Sequence, residues 1–203
     1  MLEIKHGAVW YGSNGVVLGA FPELLRLHLE RTRGTVELEM RARDLAAAGF
    51  APAYLEAFVR DVCTWGGYSG IAGRVLGNNS TAELAARFRH AHMELTADRL
   101  GHENVGAALR ELNRIKGLGT PSFASKHLRF LSPEQCPILD RLIATTCGYP
   151  FSVAGYERYA QDCAAIARVL EEEGIGSSFP GSPGDWRAAD VDAAVFASIR
   201  VWG

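Results

Sequence analysis

The sequence predicts a mainly α-helical fold, a single domain over residues 1–203. Three observations carry this reading. Apolar residues recur at three- and four-residue spacing through most of the chain beyond Thr35, residues that favour helix starts stand where those runs begin, and glycine or proline stands where several of them end. A length of 203 residues suits one well-buried core.

Residues 1 to 34 carry the weakest signal, because the apolar pieces AVW, VVLGAF and LLRLHL are broken by Gly12, Gly15, Gly19 and Pro22. A short helix over Pro22 to Arg31 is the expectation there. From Thr35, Val36, Leu38 and Met40 alternate as in a strand, while Leu45, Ala46 and Ala48 continue as in a helix; helix is preferred, with Gly49 as its C-terminal cap. Pro52 fits the first turn of a helix to about Thr64, with Tyr54, Leu55, Phe58, Val59 and Val62 on its apolar face. That helix stops at Trp65-Gly66-Gly67-Tyr68-Ser69-Gly70.

Ser80 or Thr81, with Glu83 in the capping-box position, opens a helix expected to reach Leu100, and a second runs from Asn104 to Ile115. Thr120 is the expected N-cap of the next, with Pro121 in its first turn. After Pro133 come an extended piece and a helix around Leu139 to Thr146. A long amphipathic helix follows from Ser152 to Glu173, buried along Val153, Tyr156, Tyr159, Cys163, Ile166 and Leu170. Residues 174 to 184 read as a surface loop, and Trp186 to Val201 as a closing helix packed through Val191, Val195, Phe196 and Ile199.

Composition narrows the class. With 48% hydrophobic and 22% charged residues and no apolar run near the ~20 residues of a membrane span, a soluble protein without a membrane partner is expected. The opening MLEIKHGAVWYG has neither a secretory nor a transit pattern, which predicts a cytoplasmic location. Cys63, Cys136, Cys147 and Cys163 lack zinc-site spacing and read as free thiols, so no metal is expected. A net charge of -2 argues against coating nucleic acid by bulk electrostatics. Its distribution is uneven: residues 86 to 143 hold 9 Lys and Arg against 6 Asp and Glu, the only net positive third. Arginine far outnumbers lysine, as the codon bias of a GC-rich genome would produce. Two of the three lysines, Lys116 and Lys126, bracket one short segment.

That segment carries the chemistry. In residues 104 to 131, two helices are joined by Lys116-Gly117-Leu118-Gly119, a linker so short that its glycines must turn the backbone through positive φ. This is a helix-hairpin-helix pattern. Its turn, with the first-turn amides near Thr120, offers unpaired N–H groups and a positive dipole end to an anion such as a DNA phosphate. A tight helix–helix turn with glycine caps and no ligand remains the alternative. On the second helix Phe123, Ala124, Leu128, Phe130 and Leu131 form a core stripe, while Ser122, Lys126 and Arg129 share another face that would look at DNA. Cys136-Pro137-Ile138-Leu139 then leads into Asp140 at the head of a helix, as an ordinary cap or as a catalytic carboxylate.

The order of hairpin, helix and PILD resembles the helix-hairpin-helix superfamily of DNA base-excision glycosylases. The strings VCTWGGYSG, GTPSFASKHLRFLSP, CPILD and WRAADVDAAVFA are similar to the branch with the 8-oxoguanine DNA glycosylase fold. The likeness covers about residues 35 to 203 in motif order and leaves the first 34 unplaced. It implies a monomeric enzyme that flips a modified base out of DNA and cuts its N-glycosidic bond, with Asp140 stabilising positive charge on the sugar or orienting water. It implies further that a lysine at the start of the second hairpin helix attacks the sugar. Here Thr120, Pro121 and Ser122 occupy that place. Lys126 lies one turn later, as a displaced nucleophile or a phosphate contact, and the displacement tips the reading towards phosphate. The loop Trp65, Gly66, Gly67 and Tyr68 would enter the minor groove, with Trp65 as wedge or core residue and Tyr68 as wedge or solvent-facing residue. The four cysteines of iron–sulfur relatives are missing, so no cofactor is expected. The implied base is an oxidised purine or a bulky hypermodified cytosine of phage DNA, such as glucosylated hydroxymethylcytosine. A non-catalytic hairpin module that grips DNA for a partner enzyme is the rival.

Overall fold

Two-residue turns with glycine at a positive-φ position shape the start of the chain. In the computed structural model, which describes residues 1–97 and 103–202, His6 and Gly7 both have positive φ (53° and 71°), and Gly12 has φ 58°. These turns fold β1 (Glu3–Lys5), β2 (Ala8–Tyr11) and β3 (Asn14–Val17) into an antiparallel meander, pairing Val9 with Val16 and Trp10 with Gly15. Val9, Tyr11 and Val16 point into the core, and the Tyr11 hydroxyl shares a 2.8 Å hydrogen bond with that of Ser198. The sheet is absent from the sequence-based expectation.

The rest is helical, with ten α-helices among the described residues. A 3-10 turn (Leu18–Ala20) leads into α1 (Phe21–Arg31), which buries Phe21, Leu24 and Leu25 and lies along α10 (Ala188–Trp202). Helix, not strand, forms beyond Gly34: α2 (Thr35–Ala47) buries Leu38, Ala42 and Leu45 and leaves Met40 exposed. Gly49 and Phe50, both at positive φ, close it by donating to the carbonyls of Ala46 and Leu45. In α3 (Pro52–Trp65) the expected apolar face is buried except Tyr54, which is 56% exposed at the helix start.

A helix missing from the expectation, α4 (Gly70–Asn78), buries Ile71, Ala72 and Val75 despite glycines at 70, 73 and 77. Then α5 (Thr81–Thr96) opens with the expected capping box, Ser80 accepting from the Glu83 amide and Glu83 accepting from the Ser80 amide. It ends at Thr96, with Ala97 extended, short of the expected end at Leu100, which itself lies outside the described residues. Helices α6 (Glu103–Leu112) and α7 (Ser122–Leu131) form the hairpin. Behind it α9 (Val153–Glu172), capped by Ser152, packs on α6, where Gly106 has no room for a Cβ beside Glu157. The short α8 (Arg141–Cys147) precedes it. Residues 174 to 184 are more than a surface loop: Phe179 is buried under the Arg187 guanidinium, 3.9 Å from its ring, and Ser177 pairs with Gly184.

One core runs from Leu2 to Ile199. All four cysteines are buried free thiols. Among the described residues no helix is long and apolar enough to cross a membrane.

Candidate active site

The extended stretch after α7 is held by side chains rather than by a strand partner. The Leu139 amide donates to Ser125 Oγ on α7 (3.2 Å), and the Ile138 amide donates to Asp192 Oδ2 on α10 (3.1 Å). This fixes where α8 begins. Asp140 is its N-cap, with Oδ1 accepting from the Ile143 amide at 2.9 Å. The cap bond occupies one carboxylate oxygen and orients the other. Asp140 is half-buried and lines a cavity of about 170 Å³ with Lys126 and Asp192. That volume far exceeds the ~10–15 Å³ a single water needs.

Most of the remaining wall is apolar or aromatic: Trp65, Gly66, Ile138 and Phe196, with His28 and Thr32 beside them. Lys126 reaches this space from α7, its Nζ 4.2 Å from the centroid of the Phe123 ring. Gly66 makes that path available, because a Cβ there would sit 3.1 Å from Lys126 Cδ and 3.0 Å from the Phe123 ring. Burial holds the Lys126 ammonium below the usual lysine range, against the opposing pull of Asp140, Cys63 and Asp192. Asp192 is buried, accepts from the Tyr159 hydroxyl at 2.7 Å, and is pushed up to about 7 by that burial. His28, ring edge against Phe196, is pushed down to about 4 by burial and then by Arg129 and Arg31. The wall therefore combines an amine of lowered basicity, a carboxylate aligned by a helix start, and a carboxyl that titrates near neutrality.

The hairpin turn lies beside this cavity in sequence. Residues 113 to 121 separate α6 from α7, a longer connection than the expected four residues, and within it Gly117 and Gly119 have φ 84° and 80°. Asn79 clamps the turn, accepting from the Lys116 amide and donating to its carbonyl. Lys116, Gly117, Gly119 and Thr120 are exposed, and Ser122 is half-exposed.

Several expected roles change. Thr120 does not cap α7; Pro121 holds the cap position, and the Phe123 and Ser125 amides bond to the carbonyls of Gly119 and Pro121, leaving no cap bond for a threonine hydroxyl. Leu118 is fully buried, so only its backbone faces outward. Arg129 does not share a DNA-facing surface with Ser122 and Lys126. It is 3% exposed and donates to Glu39 at 2.6 Å, in a buried quartet completed by Arg187 and Asp190. Its end of that face is interior because α2 packs on α7 and brings Glu39 to it, with Arg187 arriving from just before α10. Trp65 is pinned in the cavity wall: its indole N–H donates to Thr35 Oγ1 at 3.1 Å and its ring packs edge-on to Phe130. Tyr68 is 70% exposed, with Gly67 exposed beside it.

The structure thus brings Asp140, Lys126, Trp65 and Gly66 together and leaves Arg129 outside. It adds His28, Thr32, Asp192 and Phe196, which the sequence reading did not assign to a site. One signal was legible: Asp192 stands in the apolar run DVDAAVFA, where a buried acid needs partners. No known family model, curated protein or solved structure matches this chain.

Proposed function

We propose that this chain is a DNA N-glycosylase of the helix-hairpin-helix kind, acting as a monomer to flip out a modified base and leave an abasic site. One observation carries the reading: Lys126 from the second hairpin helix and Asp140 from the next helix start share a ligand-sized cavity. The exposed hairpin amides would seat a backbone phosphate, and the exposed Tyr68 would prop the opened stack. A module that only grips DNA has no use for such a cavity, which favours the catalytic reading over its rival.

The amine's position inside the cavity favours attack on the sugar over a surface phosphate contact. Lys126 Nζ bonds to C1′ as the bond from C1′ to the base breaks and the base leaves with its electron pair. Asp140 stabilises the positive charge on the sugar. Opening of the sugar ring moves one amine hydrogen to the ring oxygen and leaves the other on the iminium nitrogen. The departing base takes a proton from Asp192 or from water, and a water molecule then hydrolyses the iminium to give the abasic site. Of the two implied base classes, oxidised purines and bulky hypermodified cytosines, a neighbouring recess favours the second. It measures about 550 Å³ and shares Thr32 and Trp65 with the cavity, which gives a bulky substituent somewhere to lie. Such an activity would serve anti-phage defence.

The test is incubation with genomic DNAs carrying different base modifications, scored for abasic sites, with borohydride present to trap the iminium. Wild type should yield abasic sites and a covalent adduct mapping to Lys126. Asp140→Asn should lose abasic-site formation while keeping DNA affinity, and Lys126→Ala should lose the adduct. An Asp140→Asn rate within about tenfold of wild type, only ~1.4 kcal/mol, refutes the role of Asp140. Abasic sites without an adduct refute the amine's role.

A further inference from the structure

Outside the cavity lies a vestibule of about 530 Å³ that shares His28, Thr32, Trp65, Gly66 and Phe196 with it. Its outer lip is made by Arg31, at the end of α1, and Arg200, near the end of α10. These two helices lie against each other, so residues far apart in sequence put two guanidinium groups on one rim. Both arginines are exposed. Among the described residues no carboxylate lines this vestibule.

Elsewhere in the described residues several surface arginines are neutralised. Arg26, on the same helix as Arg31, bonds Glu23 and Glu30; Arg41 bonds Asp61; Arg110 bonds Glu157. Arg31 and Arg200 make no such pair among the described residues, and the Arg200 guanidinium lies 5.7 Å from the centroid of the Phe196 ring. Arg31 is also one of the charges that hold the His28 imidazole neutral, so the positive field extends inward to the cavity wall. Two free planar donors at the mouth of a cavity suit an anion with several oxygens, which phosphate supplies.

We propose that Arg31 and Arg200 bind the backbone phosphate of the nucleotide whose base enters the cavity. The segment before Thr35, which the family likeness leaves unplaced, thereby gains a role. The proposal rests on the glycosylase reading for the identity of the strand. The hairpin amides and this rim would hold separate phosphates.

The probe is a fluorescein-labelled DNA carrying a tetrahydrofuran abasic analogue, as duplex and as single strand, titrated with full-length protein by anisotropy over a range of salt. Arg31→Ala with Arg200→Ala should weaken binding and reduce the slope of log K against log salt by about 0.9 for duplex. That shrinks the affinity lost between ~50 and ~200 mM salt by about 3.5-fold. Arg31→Lys with Arg200→Lys should restore the slope. Arg168→Ala, an exposed arginine on α9 that lines none of these spaces, should leave it unchanged. Circular dichroism checks that each variant is folded. A double alanine variant with wild-type affinity and slope overturns the rim assignment while the glycosylase reading stands. Loss of affinity for a deoxynucleoside 5′-monophosphate, with DNA binding unchanged, overturns the strand assignment and makes the anion a free nucleotide's. Failure of wild type to bind either DNA overturns the glycosylase reading itself.

Discussion

Replacing Arg129 by Met should unfold this protein at markedly lower denaturant without altering the proposed grip on DNA. Arg129 gives Glu39 a 2.6 Å charge-assisted bond, and Arg187 gives the same carboxylate two more at 2.8 and 3.2 Å while also holding Asp190 through two bonds of 2.8 Å. Two guanidinium groups thus balance two carboxylates out of water. Removing one leaves a net buried negative charge, for which about 3–5 kcal/mol of lost stability is expected. Against a total of roughly 5–15 kcal/mol for a domain, that is a large share. Methionine retains much of the packing against Phe130, so the loss reads the charge more than a cavity. Adding Glu39→Met restores neutrality, with Arg187 and Asp190 still paired, and should recover at least half of the loss. Urea unfolding followed by circular dichroism measures both. A single variant within about 1 kcal/mol of wild type, or a double variant whose loss equals the sum of the two singles, refutes the quartet as a coupled unit. A reduced salt slope for DNA binding in the folded single variant would return Arg129 to the proposed DNA-facing surface.

Two further outcomes follow from the cavity wall. Gly66→Ala places a methyl group 3.1 Å from Lys126 Cδ and 3.0 Å from the Phe123 ring, so the amine is displaced; the rate of adduct trapping should fall tenfold or more while urea stability changes by less than about 1 kcal/mol. An unchanged trapping rate removes Gly66 from the positioning of the amine. Asp192 binds its proton near pH 7 when folded and near 3.8 when unfolded, so its contribution to stability is full below about pH 4 and is lost as pH rises through about 7. Asp192→Asn lacks that loss, and its stability relative to wild type should improve between pH 5 and pH 8 by on the order of 3 kcal/mol. His28 and His127, both pushed down to about 4, lose their contribution as pH falls below about 6.5, but they are common to both proteins and cancel in the difference. A pH-independent difference refutes the burial of Asp192 as the source of its shift.

Legibility in the sequence followed the range of the interactions involved. The capping box at Ser80 and Glu83, the glycine closure after Ala48 and the hairpin glycines are decided within a few residues, and each stands where local chemistry placed it. The meander at the start was legible in the same way, since His6-Gly7 and Gly12-Ser13 are two-residue hairpin signals between apolar runs, but the strands are only three or four residues long. Helix α4 escaped because three glycines lower its intrinsic propensity and its burial against α3 supplies the stability instead. Arg129 shows the limit of periodicity. Spacing identifies which residues share a helix face, and only the arrival of Glu39 and Arg187 decides whether that face meets water. Asp140 and Lys126 were legible through the order of motifs, whereas His28 and Asp192 meet them only through the pairing of α1 with α10.

That pairing has a kinetic consequence. The hairpin closes a short loop between consecutive helices, so its turn forms at small entropic cost and early. The cavity closes only when the second helical turns of the chain's beginning meet its last helix, the contact of highest sequence separation at this site. A molecule whose α1 has swung away from α10 retains the hairpin amides but has lost His28 and Thr32 from around the amine and Arg31 from the rim. Access to the hairpin amides therefore needs only neighbours in sequence, whereas the cavity wall and the arginine rim need the two ends of the chain together.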